Sequence, residues 1–524
     1  MQSTGAIDAF INKCVKKLQG RERLIIPFFL IFWALGGSIL GNFEECLAFI
    51  PMQIMLCLAL GFDSIVGLAL GLCGVCVGYM GAIMNAFTIG IAQQIAGLPI
   101  YSGMGFRLIT WSVMLIAAII YIWNYAGKIK KDVYGNRIVL FAPLYISDFC
   151  VNNCVYCGYK RENKFHRRRL TMEEIKKEVM ILEEMGHKRL ALEAGEDPVN
   201  CDIEYILEAI DTIYDTYNKN GKIRRINVNI AATTVENYRR LNEKGIGTYI
   251  LFQETYDEEV YKKVHPKCLK GNYDYHTTSF DRAMEAGIED VGAGVLFGLA
   301  DPKFEVLGLM MHNEHLEKRF GVGFHTISVP RLRPAEGVNL ETFPYLLDDE
   351  TFKKIVTIIR IAVPYTGMIL STRETAEMRE ILLQHGISQV SAGSCTGVGG
   401  YEEHIKGRNV NQFATADERS PKQVIEDLMA AGYIPSYCTS CYRTGRVGEK
   451  FMEIAKSEMI HNLCKPNALT TLVEYAVDYG DKELLAKVEK FVKEQAATIE
   501  NKKLEQFVLK NIDKLKAGER DLYL

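Results

Sequence analysis

Residues 140–157 read LFAPLYISDFCVNNCVYC and place a strand directly before a group of cysteines. The β-rich run Leu140–Ile146 predicts a short strand, and Cys150, Cys154 and Cys157 follow it in the spacing C-x3-C-x2-C. Three thiolates on one short loop can ligate three irons of a [4Fe–4S] cluster and leave the fourth iron open. A structural zinc site needs four ligands, and no fourth ligand follows at the spacing of a zinc finger. We therefore expect an iron–sulfur cluster after the first strand.

The segment from residue 136 to 400 alternates short β-rich runs with amphipathic helical patterns. One predicted helix is Met172–Met185, with Thr171 as its N-cap and two glutamates in its first turn. Eight strands separated by helices within about 250 residues are typical of a (β/α)8 barrel of the TIM type, with a doubly wound sheet as the alternative. In such a barrel the chemistry lies at the C-terminal ends of the strands. The other predicted strands are Arg189–Leu192, Ile226–Ile230, Thr248–Phe252, Val291–Phe297, His325–Val329, Met368–Ser371 and Gln389–Ser391.

A second group of three cysteines lies near the C-terminus. Cys438, Cys441 and Cys464 have the spacing C-x2-C-x22-C. This pattern predicts a second [4Fe–4S] cluster with an open iron, or a zinc site in which His461 is the fourth ligand. We expect residues 401–524 to form a mostly helical extension that holds this second site.

Residues 1–132 differ in composition from the rest of the chain. They carry 15 charged side chains, whereas residues 133–524 carry 110, and none lies between Ser64 and Phe106. A helix that spans a membrane needs roughly 20 mostly apolar residues. Asn85–Ile100 is apolar but contains asparagine and glutamine, which is typical of a re-entrant helix or an interfacial loop. Within residues 24–127 we expect an all-α transmembrane region of about four helices, centred on Leu24–Gly41, Leu47–Leu60, Ile65–Ile83 and Arg107–Trp123.

Basic residues at both ends of this region predict its orientation. Five lysines and arginines lie within residues 1–23, and Lys128, Lys130 and Lys131 follow the last apolar run. Because basic flanks stay on the cytoplasmic side, we expect a multi-pass membrane segment with residues 1–23 and the barrel in the cytoplasm. Residues 128–135 would form the junction. The formal net charge of −3 does not suggest a nucleic-acid partner.

Several motifs between residues 133 and 524 resemble known enzymes. The C-x3-C-x2-C loop resembles the radical S-adenosylmethionine (SAM) superfamily. Residues 325–331 (HTISVPR) and 438–446 (CTSCYRTGR) resemble the HydG family of [FeFe]-hydrogenase maturases. The resemblance implies two [4Fe–4S] clusters, SAM and an additional iron at the second cluster. The implied reaction cleaves L-tyrosine between Cα and Cβ to p-cresol and dehydroglycine, and then gives CO and cyanide for the hydrogenase H-cluster.

The same resemblance implies partners and leaves one related alternative. An electron donor of the ferredoxin or flavodoxin type and other hydrogenase maturation proteins would act with the enzyme. The 2-iminoacetate synthases of thiamine biosynthesis share the barrel and the tyrosine cleavage but have no C-terminal cysteine set. The cysteines Cys438 and Cys441 distinguish these two interpretations.

Residues of the barrel that match the radical SAM pattern are candidates for cofactor binding. Glu193, Gly195 and Glu196 follow the second strand and resemble the segment that binds the SAM amino group. Tyr156 would pack on the adenosine or shield the cluster. Ser391, at the end of the eighth strand, would help to form an anion-binding nest.

Other polar residues at strand ends are candidates for catalysis or for the additional iron. Arg331 and Arg333 could hold a carboxylate with paired hydrogen bonds or form an ordinary ion pair. Glu254 could bind the SAM ribose, the substrate, or neither. In this family a histidine helps to hold the additional iron, and His325 is the first candidate for that role, with His265 as the second.

The N-terminal part resembles a different family. Residues 78–103, within a stretch of about 20–131, resemble the YfcC-type basic amino-acid antiporters, which have many more spans than this part can supply. The chain is therefore a membrane-tethered maturase, a fusion of two gene fragments, or a fragmentary amino-acid transporter joined to an inactive barrel.

Overall fold

The computed structural model describes residues 22–524 except residues 60, 61, 63, 133, 134, 409, 411, 413, 414, 457 and 458. The expected N-terminal cytoplasmic segment therefore lies almost wholly outside the described residues. The chain divides into two compact units, residues 1–133 and 134–524. The predicted junction at 128–135 falls at this division, and its residues up to Asp132 continue a helix. The predicted boundary between residues 400 and 401 stays a prediction.

The first unit consists of helices at the four predicted places. They are Ile25–Leu35, which continues as a π-helical turn over Gly36–Leu40, then Glu44–Ala59, Ser64–Gly81 and Met104–Asp132. The stretches Ile65–Ile95 and Met104–Tyr125 are long and apolar enough to cross a membrane by length and composition, and Ile25–Leu40 is shorter. The predicted re-entrant segment forms two short helical pieces, Ala86–Gly90 and Ile91–Ile95.

Small residues allow two of these helices to pack closely. A Cβ atom on Gly78 would lie 2.6 Å from the carbonyl oxygen of Ala34, and one on Gly74 would lie 2.8 Å from the Cβ of Trp33. Such close backbone approach is typical of helices that pack in a lipid environment. The thiols of Cys73 and Cys76, on the same helix as these glycines, are exposed.

The second unit is a closed barrel of eight parallel strands, as the sequence predicts. β1 pairs with β2 on one side and with β8 on the other, so the doubly wound alternative is excluded. All five residues of β5 are buried, as is typical of parallel strands that are covered on both faces. The strands are β1 Arg137–Ser147, β2 Arg189–Ala194, β3 Arg225–Asn229, β4 Tyr249–Glu254, β5 Val291–Val295, β6 Thr326–Ser328, β7 Gly367–Leu370 and β8 Gln389–Ser391.

Helices follow the strands and cover the barrel. The predicted cap of the first is confirmed, because the Thr171 hydroxyl accepts from the Glu174 N–H and the Glu174 carboxylate accepts from the Thr171 N–H. The main helices of the barrel are Met172–Glu184, Ile203–Asp215, Val235–Glu243, Glu258–Val264, Ser279–Glu285, Pro302–Phe320, Asp349–Ala362 and Ala376–Gln384.

A ninth strand, which the sequence patterns did not predict, attaches the C-terminal extension to the barrel. β9, Ile434–Ser436, pairs with residues 137–139 of β1, whereas β8 pairs with residues 139–141. The end of β9 therefore lies at the N-terminal face of the barrel. The helices Met459–Tyr479, Lys482–Ala496 and Lys502–Lys516 complete the extension.

Candidate active site and metal centres

The first three cysteines lie together at the C-terminal face of the barrel. Cys150, Cys154 and Cys157 line one cavity. The loop that carries them is fixed by backbone hydrogen bonds, among them Val151 N–H to the Glu196 carbonyl at 2.8 Å. Three thiols that converge on one cavity are the donor set that a [4Fe–4S] cluster with an open iron requires. In the described part of the chain, no three His, Cys, Asp or Glu side chains group closely enough to hold a single metal ion.

The segment after β2 lies against the cysteine loop. The Asn152 amide donates to the Glu196 carboxylate at 2.5 Å, so Glu196 faces the cavity of the three cysteines. A Cβ atom on Gly195 would lie 2.3 Å from the Phe149 carbonyl oxygen, which is closer than two non-bonded atoms can approach. Glycine at this position therefore allows the two loops to meet. The carboxylate of Glu196, a candidate for binding the SAM amino group, therefore lies beside the loop that carries the three cysteines.

Glu193 points into the interior of the barrel. Its carboxylate accepts a hydrogen bond from the Asn229 amide at 2.6 Å. Burial raises the pKa of Glu193 to about 8, although Asn229 and the nearby Arg373 guanidinium oppose the rise. A carboxyl group with this pKa is mostly protonated near neutral pH and can ionise when a cation binds beside it.

A central cavity inside the barrel adjoins the cavity of the cysteines. Both are lined by Tyr145, Glu193, Asn229, Phe252 and Arg373. The predicted residue Ser391 lines the central cavity, where its hydroxyl accepts from the Thr372 N–H at 3.2 Å. The central cavity thus combines aromatic surface with one guanidinium and one carboxyl group.

Arg331 and Arg333, predicted either to hold a carboxylate or to form an ordinary ion pair, share one carboxylate of the chain itself. Arg331 donates to both oxygens of Glu374, at 2.9 and 2.7 Å, and Arg333 donates to the same carboxylate at 2.5 Å. Neither arginine lines the central cavity or the cavity of the cysteines. The ion-pair alternative therefore describes them, and the arginine that faces the cavity is Arg373.

A buried ion pair borders the cavity of the cysteines. The Lys270 ammonium donates to the Glu254 carboxylate at 2.6 Å, and both side chains line the cavity. Glu254 ends β4 with a φ of 67°, a strained conformation for a residue with a side chain. The carboxylate of the predicted residue Glu254 is thus directed into the cavity, where Lys270 holds it.

Tyr156 and His265 form a hydrogen-bonded pair beside the cysteines. The Tyr156 hydroxyl lies 2.7 Å from Nε2 of His265, whose Nδ1 lies 2.8 Å from the Tyr261 carbonyl oxygen. Burial lowers the pKa of His265 to about 2, so this imidazole is neutral. His265 therefore belongs to the first cysteine site, and its prediction as a ligand at the second site is wrong.

The other three cysteines lie at the opposite face of the barrel. Cys438 and Cys441 follow β9, and together with Cys464 they line a third cavity. A hydrogen bond joins the thiols of Cys441 and Cys464. The side chain of His461, predicted as a zinc ligand, lies outside the described residues.

His325 lines the same cavity as these cysteines. Its Nε2 lies 2.8 Å from the Tyr442 hydroxyl, and its Nδ1 lies 3.2 Å from the Asp290 carboxylate. The proximity of His325 lowers the pKa of the buried Asp290 to about 2, so this carboxylate is ionised. An ionised carboxylate behind an imidazole orients the ring and makes it a better metal ligand.

The central cavity and the third cavity share a lining residue. Gln389, at the start of β8, lines both the central cavity and the third cavity. The three cavities therefore adjoin one another in sequence, with a cysteine triplet at each end.

Comparisons with known proteins agree with this arrangement. The family model of the radical SAM superfamily matches residues 144–310, and that of the biotin and thiamin synthesis associated domain matches residues 328–434. A crystal structure of HydG, a maturase of the [FeFe]-hydrogenase, is 56% identical, with a TM-score of 0.74, and the match covers 78% of this chain and 88% of that one. The chain belongs to the HydG family. It is thus a radical SAM enzyme, and this membership implies a [4Fe–4S] cluster and SAM.

Two further relatives extend the comparison. HydG from Carboxydothermus hydrogenoformans is 35% identical, with a TM-score of 0.66, and the match covers 94% of this chain and 99% of that one. The 2-iminoacetate synthase of Salmonella typhimurium is 29% identical over 312 residues, which are 59% of this chain and 80% of the relative.

The N-terminal part matches membrane carriers, as the sequence predicts. The family model of C4-dicarboxylate anaerobic carriers matches residues 1–139. The putative basic amino acid antiporter YfcC of Escherichia coli is 34% identical over 135 residues, 26% of this chain. The chain spans only about a quarter of that antiporter, 27% of its length.

Some residues of the HydG-type site have no signal in the sequence. Lys270 and Cys268 belong to a loop with no recognisable motif, yet Lys270 reaches the first cysteine cavity and the Cys268 thiol contacts Cys154. The hydrogen bond from Cys154 lowers the pKa of Cys268 to about 6. Arg373 ends the seventh predicted strand, and that position was its only signal.

Proposed function

We propose that the chain is a radical SAM lyase that cleaves L-tyrosine between Cα and Cβ. The products would be p-cresol and dehydroglycine, from which CO and cyanide arise for assembly of the [FeFe]-hydrogenase H-cluster. The observation that supports this most is the pair of cysteine triplets at opposite faces of one barrel, connected by adjoining cavities. A lyase that passes small fragments to a second metal site needs two cluster sites in one chain.

The first site would bind the cluster and SAM. Cys150, Cys154 and Cys157 would hold a [4Fe–4S] cluster, which together with SAM supplies the 5′-deoxyadenosyl radical. Glu196 would accept from the SAM amino group, in place of the hydrogen bond that it receives from Asn152. The aromatic side chain of Tyr156, fixed by His265, would pack beside the adenosine.

The central cavity would bind L-tyrosine. The Arg373 guanidinium would hold the substrate carboxylate, because charge-assisted hydrogen bonds of this kind are strong and directional. Glu193 would accept from the amino group, which stabilises the ionised form of the carboxyl group. The rings of Phe141 and Phe252 would contact the phenol ring and exclude water from it.

The second site would capture the small products. Cys438, Cys441 and Cys464 would hold a second [4Fe–4S] cluster, and His325 would bind an additional iron there. The Asp290 carboxylate at Nδ1 would orient the imidazole, and Nε2 would bind the iron in place of its present contact with the Tyr442 hydroxyl. The fragments would reach this site past Gln389.

The N-terminal unit would anchor the enzyme to a membrane as a multi-pass segment, with the barrel in the cytoplasm. Large apolar side chains on its helices are exposed, among them Phe28, Phe106 and Tyr121. Apolar surface on this scale is unfavourable in water and stable in lipid. A cytoplasmic position gives the barrel access to ferredoxin- or flavodoxin-type donors and to the other maturation proteins.

The experiment that tests the proposal uses the full chain in detergent, reconstituted anaerobically with iron and sulfide. We expect two [4Fe–4S] signals by electron paramagnetic resonance (EPR), and release of p-cresol from tyrosine and SAM. The variant Cys150→Ser should release none. A preparation with both clusters loaded that releases no p-cresol would refute the tyrosine lyase.

A second variant separates the two tyrosine-cleaving alternatives. The double change Cys438→Ser and Cys441→Ser should preserve p-cresol release and abolish CO, which a haemoglobin assay detects. CO release that is unaffected by this change would contradict the role of the second site. Loss of CO with p-cresol retained would support it.

A further inference from the structure

The loop 264–271 lies directly over the loop that carries the first three cysteines. The Val155 N–H donates to the Val264 carbonyl at 3.0 Å, and the Lys270 N–H donates to the Asn152 side chain at 3.0 Å. The hydrogen bond between Tyr156 and His265 adds a third connection. The backbone of Lys270 is therefore fixed relative to the cysteines, and its side chain can act on them from a defined position.

The Lys270 ammonium is a buried charge beside the three thiols. Its side chain is 18% exposed and that of its partner Glu254 is 9% exposed. Lys270 lines the same cavity as Cys150, Cys154 and Cys157. Its charge therefore lies in the cavity of the three cysteines, where low exposure weakens the screening by water.

The other charged and titratable groups of this cavity are few. Besides the cysteines, the cavity is lined by the carboxyl groups of Glu193, Glu196 and Glu254, by the imidazole of His276, by two cations, Lys270 and Arg373, and by the hydroxyl groups of Tyr145, Tyr156 and Tyr159. Burial raises the pKa values of the three tyrosines, so they are neutral. Arg373 lies near Glu193, which also lines the central cavity. Burial lowers the pKa of His276 to about 3, so it is neutral. Lys270 is therefore the cation placed to compensate charge at the cysteine loop.

We propose that Lys270 is a positioning residue that raises the reduction potential of the cluster held by Cys150, Cys154 and Cys157, and that Glu254 limits this effect. The inference rests on the proposed function, in which these cysteines hold a [4Fe–4S] cluster. One electron from a low-potential donor protein reduces the cluster, and its charge becomes more negative by one. A fixed cation nearby stabilises the reduced form, whereas a carboxylate destabilises it, and low exposure strengthens both effects.

The ion pair also explains the strained backbone at the end of β4. The positive φ of Glu254 coincides with an irregular register between Phe252 and Glu254 in the pairing of β4 with β5. Strain of this kind is maintained where a side chain must point in one direction. Here it directs the carboxylate to Lys270, which sets the distance of the ammonium from the cysteines.

The test measures the midpoint potential of the first cluster in the full, reconstituted chain. An EPR-monitored titration follows the signal that changes when SAM is added, because this change identifies the cluster that binds SAM. Lys270→Met removes the charge at similar volume and should shift the one-electron equilibrium at least tenfold toward the oxidised form, that is by 59 mV to lower potential. Lys270→Arg preserves the charge and is the matched control, with an expected shift of less than threefold.

Glu254→Gln provides a second, independent measurement. It should raise the midpoint potential, and the double variant with Lys270→Met should lie between the two single variants. If Lys270→Met does not assemble the cluster, the direction of the Glu254→Gln shift still decides the inference. An unchanged potential in Glu254→Gln, or in a fully loaded Lys270→Met protein, would overturn it.

The outcomes also distinguish this inference from the proposed function. A wild-type chain without a SAM-sensitive signal would overturn both. Suppose the wild-type signal is normal, and Lys270→Met has an unchanged midpoint potential but binds SAM more weakly. This result would overturn the inference alone and would make Lys270 a SAM-binding residue.

Discussion

Replacing Arg331 by methionine should destabilise the barrel and leave the affinity for tyrosine unchanged. The Arg331 guanidinium donates to Glu374, to Asp349 at 2.7 Å and to the Leu347 carbonyl oxygen at 3.3 Å. All of these partners belong to the chain itself. Arg331 is buried, and the Glu374 side chain is only 3% exposed. The change therefore leaves the Glu374 carboxylate in the interior with one of its two arginine partners.

The magnitude follows from the geometry of the pair. Removal of one partner of a buried ion pair costs about 3–5 kcal/mol, because the remaining charge stays desolvated. Arg333 still donates to the same carboxylate, so we expect the lower end, about 3 kcal/mol. Urea unfolding followed by far-UV circular dichroism should show this loss. The three tryptophans all lie within residues 33–123, so their fluorescence reports the N-terminal unit and should not change.

Arg373→Met is the matched control for this prediction. Loss of a hydrogen bond from an arginine to a substrate carboxylate costs about 1.5–3 kcal/mol, which corresponds to a roughly 10- to 150-fold higher KM for tyrosine. The KM of Arg331→Met should stay within about twofold of the wild-type value, because the residue has no contact with the cavity. A raised KM in Arg331→Met, with wild-type stability, would refute the assignment of Arg331 to structure and restore it as a substrate ligand.

Three further changes test other parts of the structure. Cys268→Ser should leave the iron content and the EPR signal of the first cluster unchanged, because three cysteines already supply its thiolates. Loss of four irons per chain would show instead that Cys268 is a ligand. Burial raises the pKa of Glu305 to about 7 in the folded chain, above its ordinary value of 4.5, so its contribution to the free energy of unfolding should fall as the pH rises from 4.5 to 7 and then level off. Glu305→Gln should remove this contribution, on the order of 3 kcal/mol, and leave the part of the pH dependence that other buried carboxyl groups such as Glu193 contribute. An unaltered pH profile of urea midpoints would contradict the shift. Gly186→Ala should loosen the helix that carries Tyr475, because the new Cβ would lie 2.2 Å from that ring, and hydrogen exchange in the helix should rise. Gly221→Ala is the control, because Gly221 also has a positive φ but a Cβ atom there would lie no nearer than 3.7 Å to another residue. Equal hydrogen exchange in the two variants would attribute the effect of Gly186→Ala to backbone strain alone.

The barrel could be predicted because its signals are local. Each of the eight predicted strands coincides with an observed strand, within a few residues at the ends. Val291–Phe297 is two residues longer than β5, and Leu140–Ile146 is shorter than β1. A short buried strand, or the amphipathic helix that follows it, is recognised from the hydrophobic pattern of a few consecutive residues, so no contact with a distant segment has to be known. The first cysteine triplet is local in the same sense, since its ligand spacing is a property of one loop, whereas Cys464 of the second lies in the helix Met459–Tyr479.

The errors concern contacts between distant segments. Arg331 and Arg333 look like a carboxylate-binding pair in the sequence, but their partner Glu374 lies more than 40 residues further along the chain. His265 lies in the loop 264–271, which folds back onto the first cysteines, and the residues next to it in the sequence do not indicate that contact. The same holds for Lys270, whose role depends on Glu254 and on the cysteine loop together. Ion pairs of this kind depend on three-dimensional packing, which spacing rules do not describe.

β9 shows most clearly why one element was missed and what it does. It has three residues with Pro435 at its centre, and proline is disfavoured within a sheet except at an edge or a bulge. β9 tolerates it because, among the strands of the described residues, it pairs with β1 alone, on one side. β1 is 11 residues long, and its first three residues pair with β9 while its last residues lead into the first cysteine loop. One strand therefore fixes both cysteine sites, and at about 3.3 Å per residue it separates them by roughly 30 Å. Because a single strand sets this distance, the two cysteine sites lie at opposite faces of the barrel, and under the proposed function a fragment formed at the first site would travel about this distance to reach the second.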